Sequence, residues 1–315
     1  MRGQMMQAIQ VRQYGGPEQL RLESVSRPVP QAGGVLVRVH AAGVLPMEWK
    51  LRQGFFKTMR PSVFPYIPGS AIAGIVEAVG PGVTAFQPGQ AVFGRTNNGA
   101  YAEYTTAAVE TLALKPEQLS FAEAATISGG ATTAWSALFE NAELQSGQRV
   151  LIHGAAGGVG LFATQFANWK GAQVIATAST SNSEFVRSLG AEQVIDYTTT
   201  PFEEVVRDVD VVLDTIGGEV LQRSMQVVKR GGILVSLLEK PSPQAAEQYG
   251  IRAMSNAPTF PFPSTSLLQT IARLMADGQV KTTIMQTFSL QDASLAHALS
   301  ETGHGRGRII LQVKP

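Results

Sequence analysis

The chain has no cysteine in its 315 residues, which excludes disulfides and any metal centre built on thiolates. That absence is compatible with a reducing compartment. Charge is scarce as well: Asp, Glu, Lys and Arg make up 16% of the sequence, against about 25% in an average soluble protein, and the net charge is +1. No stretch gathers Lys and Arg into a stripe, so nucleic acid and anionic membrane are poor candidate partners. No apolar run reaches the ~18 residues that a spanning helix needs, and Met1-Arg2-Gly3-Gln4-Met5-Met6 lacks the apolar region of a signal peptide. The expectation is a soluble, cytoplasmic protein. The four histidines, His40, His153, His297 and His304, show no metal-ligand spacing. There is neither an internal repeat nor a low-complexity tract.

What the sequence does have is 44% apolar residues, which favours a well-buried globule, and a length that at ~150 residues per domain suggests two domains. Its most informative segment is an apolar strand, Val150-Leu151-Ile152-His153, followed by the turn Gly154-Ala155-Ala156-Gly157-Gly158-Val159-Gly160 and a second strand, Val174 to Ser179. This reads as the dinucleotide half-site of a doubly wound α/β unit, although Ala155 replaces the first glycine of the usual G-x-G-x-x-G pattern. Gly157 lets backbone approach a pyrophosphate, Gly160 lets the next helix pack close to the strand, and that helix points its N-terminal N–H groups at the phosphates. After the second strand, an NAD enzyme usually places Asp or Glu on the ribose hydroxyls. Here Ala178 is followed by Ser179-Thr180-Ser181. A carboxylate would repel a 2′-phosphate and these residues would not, so the segment predicts NADPH and hydride transfer.

Residues up to about 117 read as short strands (Gln7–Val11, Leu20–Ser24, Gly34–Ala41, Ala73–Val79, Gln90–Phe93) between Pro/Gly turns, a pattern that suggests a β-barrel or sandwich. From Phe121 to about Gln286 the pattern alternates. Helices over Phe121–Glu140, Val159–Trp169, Asn182–Leu189 and Val220–Val228 lie among strands at Arg149–His153, Gln173–Ala178, Gln193–Ile195, Val209–Asp214 and Gly232–Ser236. Such alternation predicts a parallel sheet with right-handed crossovers and ligands at the carboxyl ends of its strands. Asp214-Thr215-Ile216-Gly217-Gly218 and Val235-Ser236-Leu237 are therefore cofactor-lining candidates by position. A final helix, Leu290–Glu301, precedes a strand, Arg308–Val313, with no obvious neighbour in the parallel order.

With the glycine turn placed, the whole chain resembles the zinc-independent, quinone oxidoreductase-like branch of the medium-chain dehydrogenase/reductase superfamily. The resemblance runs through Ala42-Gly43-Val44 with Trp49-Lys50, Pro68-Gly69 with Ala73 to Gly80, Gly99 to Tyr104, and Thr133-Ala134-Trp135. It continues through Leu189-Gly190-Ala191, Val194-Ile195-Asp196-Tyr197, Asp214 to Gly218 and Gly307-Arg308-Ile309-Ile310. It implies a GroES-like β-rich domain over residues 1–120, completed by 287–315, joined to a Rossmann NADP-binding domain over 121–286. The active site would lie in the cleft between them. Members of the branch typically reduce quinones or α,β-unsaturated carbonyls with NADPH, often as homodimers.

By that resemblance Thr133, Gly217, Ser236 and Leu237 would hold the nicotinamide and its ribose. Ala156, Gly157, Gly158, Val159 and Gly160 would cradle the pyrophosphate. Arg308 is also assigned to the cofactor, Tyr197 would border the adenosine 2′-phosphate, and Ser179 and Ser181 would offer it hydroxyls. Ser181 stands where many relatives carry Arg, which predicts a weaker NADPH preference. The zinc-dependent branch needs a Cys/His/Glu set, whereas here the Gly-His-Glu position reads Gly69-Ser70-Ala71, so a zinc alcohol dehydrogenase mechanism is not expected.

Hydride transfer without a metal requires positioning and a donor for the charge developing on the substrate oxygen. Lys50 and Tyr66 are the candidate catalytic residues, with Tyr101 an alternative hydroxyl and a solvated Lys50 or a packed Tyr66 the competing readings. Trp49, Phe55, Phe56, Phe260 and Phe262 are candidate apolar faces for a small, flat, electrophilic substrate. Leu45 and Ala71 replace the Asn and Asp usual in relatives, which makes the cleft more apolar. Two other readings stay open: an NADPH-binding structural or sensory protein with little turnover, and an enoyl reductase acting on carrier-bound substrates. The latter would want a basic mouth for an acidic carrier, and Lys57, Arg60 and Arg252 are scattered.

Overall fold

The computed structural model describes residues 4–255 and 262–313. Two β-sheets organise them. The first has seven strands: in order, Ile284–Ser289, Arg308–Gln312, Gly34–Val44, Ala71–Val79, Ala91–Arg95 and Leu112–Leu114, with Tyr104–Ala108 also paired to Gly34–Val44. Gly34–Val44 is 11 residues long because it serves three partners: Ala71–Val79 on one side, and Tyr104–Ala108 and Arg308–Gln312 in succession on the other. Its run Val35-Leu36-Val37-Arg38-Val39 is β-branched at alternate positions, and Val35, Val37 and Val39 are fully buried with Ile72, Val92 and Leu311 in this domain's core. The chain re-enters this sheet at Ile284, and the C-terminal strand finds its neighbours in Ile284–Ser289 and Gly34–Val44. A separate hairpin pairs Met5–Gln10 with Arg21–Ser26.

The second sheet has six parallel strands in the order Gln193–Asp196, Gln173–Ala178, Arg149–Ile152, Val209–Asp214, Val228–Ser236 and Arg252–Ser255. Counted from its own first strand the order is 3-2-1-4-5-6, the dinucleotide-binding order, with its switch point between Arg149–Ile152 and Val209–Asp214. Val150, Leu151, Ile152, Val212 and Leu213 are fully buried there, as a sheet covered on both faces requires.

Sequence periodicity predicts one helix over Phe121–Glu140. Instead the helix breaks at Ser128 (ψ 128°) and Gly129 (φ 75°). The break coincides with a close contact from a distant segment: a Cβ on Gly129 would lie 2.7 Å from Leu45 Cδ1, so the helix parts where the first domain leans on it. Thr132 Oγ1 accepts the Gly129 N–H at 3.0 Å and the Thr133 hydroxyl donates to the Gly129 carbonyl at 3.2 Å, so side chains repair the interrupted ladder. Helices Pro46–Gln53 and Thr265–Ala276 and strands Tyr104–Ala108, Arg252–Ser255 and Ile284–Ser289 add to the predicted elements. Among the described residues no helix is long and apolar enough to cross a membrane.

Candidate active site

The glycine turn sits at the carboxyl end of Arg149–Ile152, at the switch point. Gly160 opens helix Gly160–Trp169, and a Cβ there would lie 2.2 Å from the Gly154 carbonyl oxygen and 2.7 Å from Ala155 Cα. Only glycine permits that approach of helix to strand. Gly157 donates its N–H back to the Gly154 carbonyl at 2.9 Å, whereas the N–H groups of Gly158 and Val159 meet no protein acceptor among the described residues. They stand at the N-terminus of a ten-residue helix, ready for an anion.

The first-domain side of this cradle comes from the C-terminal segment. Gly307 donates its N–H to the Ala156 carbonyl at 2.9 Å. Arg308 is 4% exposed and its guanidinium lies between two glycines. A Cβ on Gly158 would be 3.0 Å from Arg308 Nη1, and one on Gly130 would be 3.2 Å from its Cζ. Arg308 Nε and Nη2 are buried without a partner. Burial lowers its pKa to about 10, with Glu48 and Tyr101 opposing the shift. A buried, unsatisfied cation beside unpaired turn amides, held in a slot that only glycines leave open, fits the phosphates of a dinucleotide.

At the end that the resemblance assigns to the adenosine, Ser179 and Ser181 are brought together, with their hydroxyl oxygens 3.2 Å apart. Tyr197 is exposed, and its N–H donates to the Ala178 carbonyl at 3.2 Å, which sets it beside the same strand end. A residue absent from the sequence reading also arrives here: Arg306 Nη2 donates to the Ser181 carbonyl at 2.9 Å and Nε to Asn182 Oδ1 at 3.0 Å.

At the end that the resemblance assigns to the nicotinamide, Asp214 is fully buried and its carboxylate accepts the N–H groups of Ile216 and Gly217 and the hydroxyl of Ser236. It thereby fixes the two loops at the carboxyl ends of Val209–Asp214 and Val228–Ser236. The Ser236 hydroxyl is committed to Asp214, so its contribution to a ligand falls to its backbone; Leu237 is 6% exposed and donates its N–H to the Asp214 carbonyl. Glu239 accepts from Gly218 N–H at 3.0 Å and presses on Gly217, where a Cβ would be 2.9 Å from its carboxylate oxygen. Thr133 lies one helical turn beyond the break at Gly129.

Lys50, on helix Pro46–Gln53, is half-buried; burial lowers its pKa while the Glu239 carboxylate pulls it the other way. A first-domain lysine thus senses a second-domain carboxylate across the junction. The Lys50 ammonium also lies 5.5 Å from the Trp49 ring, which meets Phe55 edge-on at 5.9 Å. Leu45 and Ala71, apolar where the resemblance implies polar side chains, are both buried. Phe262 stacks on Arg95 at 4.9 Å; Phe260 lies outside the described residues.

The other candidate, Tyr66, pairs its backbone with Val11 and packs on Phe64 at 5.7 Å. Its hydroxyl is buried without a partner, and burial pushes its pKa up to about 12, so it stays a neutral hydroxyl with a proton to donate. Tyr101 is fully buried and committed: it donates to Glu48 at 2.6 Å and contacts His297 Nε2 at 3.1 Å. Glu48, which the sequence reading did not single out, also accepts the N–H groups of Leu45 and Ser70. Burial raises its pKa against those bonds. Its only sequence signal was a lone acid three residues after Leu45, the spacing at which a side chain reaches back to a helix start. His153 and His297 are core residues whose pKa values burial lowers to about 3, each with its ring nitrogens hydrogen-bonded.

Comparison with known proteins agrees with this architecture. Residues 31–117 match the alcohol dehydrogenase GroES-like domain family, and residues 189–311 match the zinc-binding dehydrogenase family. Quinone oxidoreductase of Mus musculus is 34% identical over 98% of each chain. A 2-methylene-furan-3-one reductase of Solanum lycopersicum is 35% identical over 98% of this chain and 80% of its own. The crystal structure of Escherichia coli quinone oxidoreductase complexed with NADPH matches with a TM-score of 0.89 at 26% identity, covering 97% of this chain and 99% of that one. The strand order, the glycine turn and these full-length similarities lead to one assignment: the chain belongs to the quinone oxidoreductase-like branch of the medium-chain dehydrogenase/reductase superfamily, and it is a nicotinamide-dependent oxidoreductase.

Proposed function

We propose that this protein is an NADPH-dependent, zinc-independent reductase of quinones or of the activated C=C bond of α,β-unsaturated carbonyls. The observation that carries the reading is Arg308, a buried guanidinium with two unpartnered nitrogens beside the glycine turn. A buried cation with unpartnered nitrogens is costly unless an acceptor meets them, and a dinucleotide phosphate is the anion that the surrounding fold admits. Bound reduced nicotinamide supplies the hydride. Thr133, Gly217 and the backbone of Ser236 and Leu237 would hold that group, and Asp214 fixes the loops of Gly217 and Ser236 in place. Lys50 offers a cation to the substrate oxygen, and either Lys50 or solvent protonates the product. The buried apolar side chains of Leu45 and Ala71 favour a flat substrate with few polar groups.

Zinc independence is supported by the donor set. There is no cysteine, and among the described residues no three His, Asp or Glu side chains gather into a metal-holding group. At the position where zinc enzymes carry an imidazole, Ser70 instead donates to the buried Glu48. Steady-state oxidation of NADPH in the presence of a strong chelator, with quinones, enones and simple aldehydes as acceptors, tests the proposal. Turnover of quinones or enones but not aldehydes is expected. Chelator-sensitive aldehyde reduction would refute it.

A further inference from the structure

We propose that Arg306, reaching across from the first domain, is the residue that recognises the 2′-phosphate of NADPH in this chain. The inference rests on the cofactor reading above and deepens it. Ser179, Thr180, Ser181, Asn182 and Ser183 follow Gln173–Ala178, so this segment supplies hydroxyls and an amide but no positive charge. The charge comes from elsewhere. Arg306 lies in the loop between helix Ala293–Glu301 and strand Arg308–Gln312, elements of the first domain, yet its guanidinium is bound to the second.

Three contacts fix its orientation. Nη2 donates to the Ser181 carbonyl at 2.9 Å, Nε donates to Asn182 Oδ1 at 3.0 Å, and the guanidinium carbon sits 4.7 Å from the Phe185 ring centroid. They leave Nη1 with no acceptor among the described residues, and no carboxylate there forms an ion pair with Arg306. The hydroxyls of Ser179 and Ser181 stand 3.2 Å from one another beside it. Asp196, the carboxylate at the neighbouring strand end, is occupied by the hydroxyls of Thr180 and Thr198 and by the Thr198 N–H. An anchored guanidinium with one free edge next to two hydroxyls suits a phosphate dianion; a ribose hydroxyl alone would not need the charge.

The same short segment touches the rest of the cradle, since Gly307 bonds Ala156 and Arg308 lines Gly158. Residues 306–308 therefore extend from the adenosine end of the cofactor site to its pyrophosphate end, and they belong to the domain opposite the glycine turn. Binding of the phosphorylated cofactor would tie the two domains together more firmly than binding of the unphosphorylated one.

The test is equilibrium titration of the full-length protein, followed by intrinsic tryptophan fluorescence, with NADPH, NADH and adenosine 2′,5′-bisphosphate. Arg306→Ala is expected to weaken NADPH and adenosine 2′,5′-bisphosphate about tenfold or more while leaving NADH unchanged. Adding Ser181→Arg to Arg306→Ala is expected to restore the preference, which a purely structural anchor would not allow. Equal weakening of NADPH and NADH by Arg306→Ala, or no change in either, would overturn the inference while a wild-type preference for NADPH still stood. A wild-type protein that binds NADH as tightly as NADPH would instead overturn the cofactor reading itself.

Discussion

Arg308 gives the sharpest test of the reasoning because its stability effect and its function are predicted to have opposite signs. The folded protein lowers its pKa from 12.5 to about 10, and the group is fully buried, so at ~1.4 kcal/mol per unit the fold bears about 3 kcal/mol to keep it charged. Replacing it by methionine retains length and apolar contact while removing the unpartnered Nε and Nη2. Arg308→Met should leave the ligand-free protein as stable as wild type, or up to about 3 kcal/mol more stable, in urea denaturation monitored by fluorescence. The same variant should bind NADPH and NADH at least ~10-fold more weakly, because both carry the pyrophosphate that the guanidinium faces. Ligand-induced stabilisation should shrink accordingly. A ligand-free variant destabilised by several kcal/mol, or one with unchanged dinucleotide affinity, would refute the claim that this cation is held for a phosphate.

The glycines of the turn should separate by mechanism. Gly160→Ala puts a Cβ 2.2 Å from backbone oxygen and should destabilise the fold by about 2–4 kcal/mol in thermal melts, whereas Gly157→Ala, whose Cβ would be 3.2 Å from the Gly154 carbonyl, should fold normally and bind dinucleotide poorly. Lys50→Met should lower kcat/KM for the accepted quinone or enone by about 10²-fold with little change in NADPH affinity, and an unaltered rate would make Lys50 a surface residue. Acid should weaken the fold below about pH 6.5, because His153 and His297 are neutral in the fold with pKa values near 3 while the unfolded chain protonates them. By about pH 5 each contributes roughly 2 kcal/mol of lost stability. Glu48, whose pKa is raised, acts in the opposite sense and gains stability as it protonates, so the net loss should be smaller. A urea midpoint that is flat from about pH 7 to 5 would contradict this.

The second domain was legible in the sequence because its signals are local. Strands such as Gln173–Ala178 and Val209–Asp214 have the same bounds in sequence and structure, since an apolar run between turns needs no tertiary information to be recognised. The role read for Gly160 is likewise local, between neighbours six residues apart. What escaped the sequence was nonlocal. The break at Gly129 depends on Leu45, and Glu48 gains its environment from Ser70 and Tyr101, residues on two separate segments. Arg306 reaches the Ser181 loop from 125 residues away. Periodicity and motif spacing carry no record of such encounters. Ser236 shows the opposite limit: its position at a strand end was correctly read, but the commitment of its hydroxyl to Asp214 could only be seen once the two strands lay side by side.

The central claim is that this chain uses bound NADPH to reduce a quinone or an enone without a metal. A single-turnover experiment tests it most directly: chelator-treated protein saturated with NADPH is mixed with members of a quinone and enone panel, and the nicotinamide absorbance is followed. The account predicts that one nicotinamide is oxidised per site with at least one acceptor. NADPH that stays bound and reduced across the whole panel would contradict it.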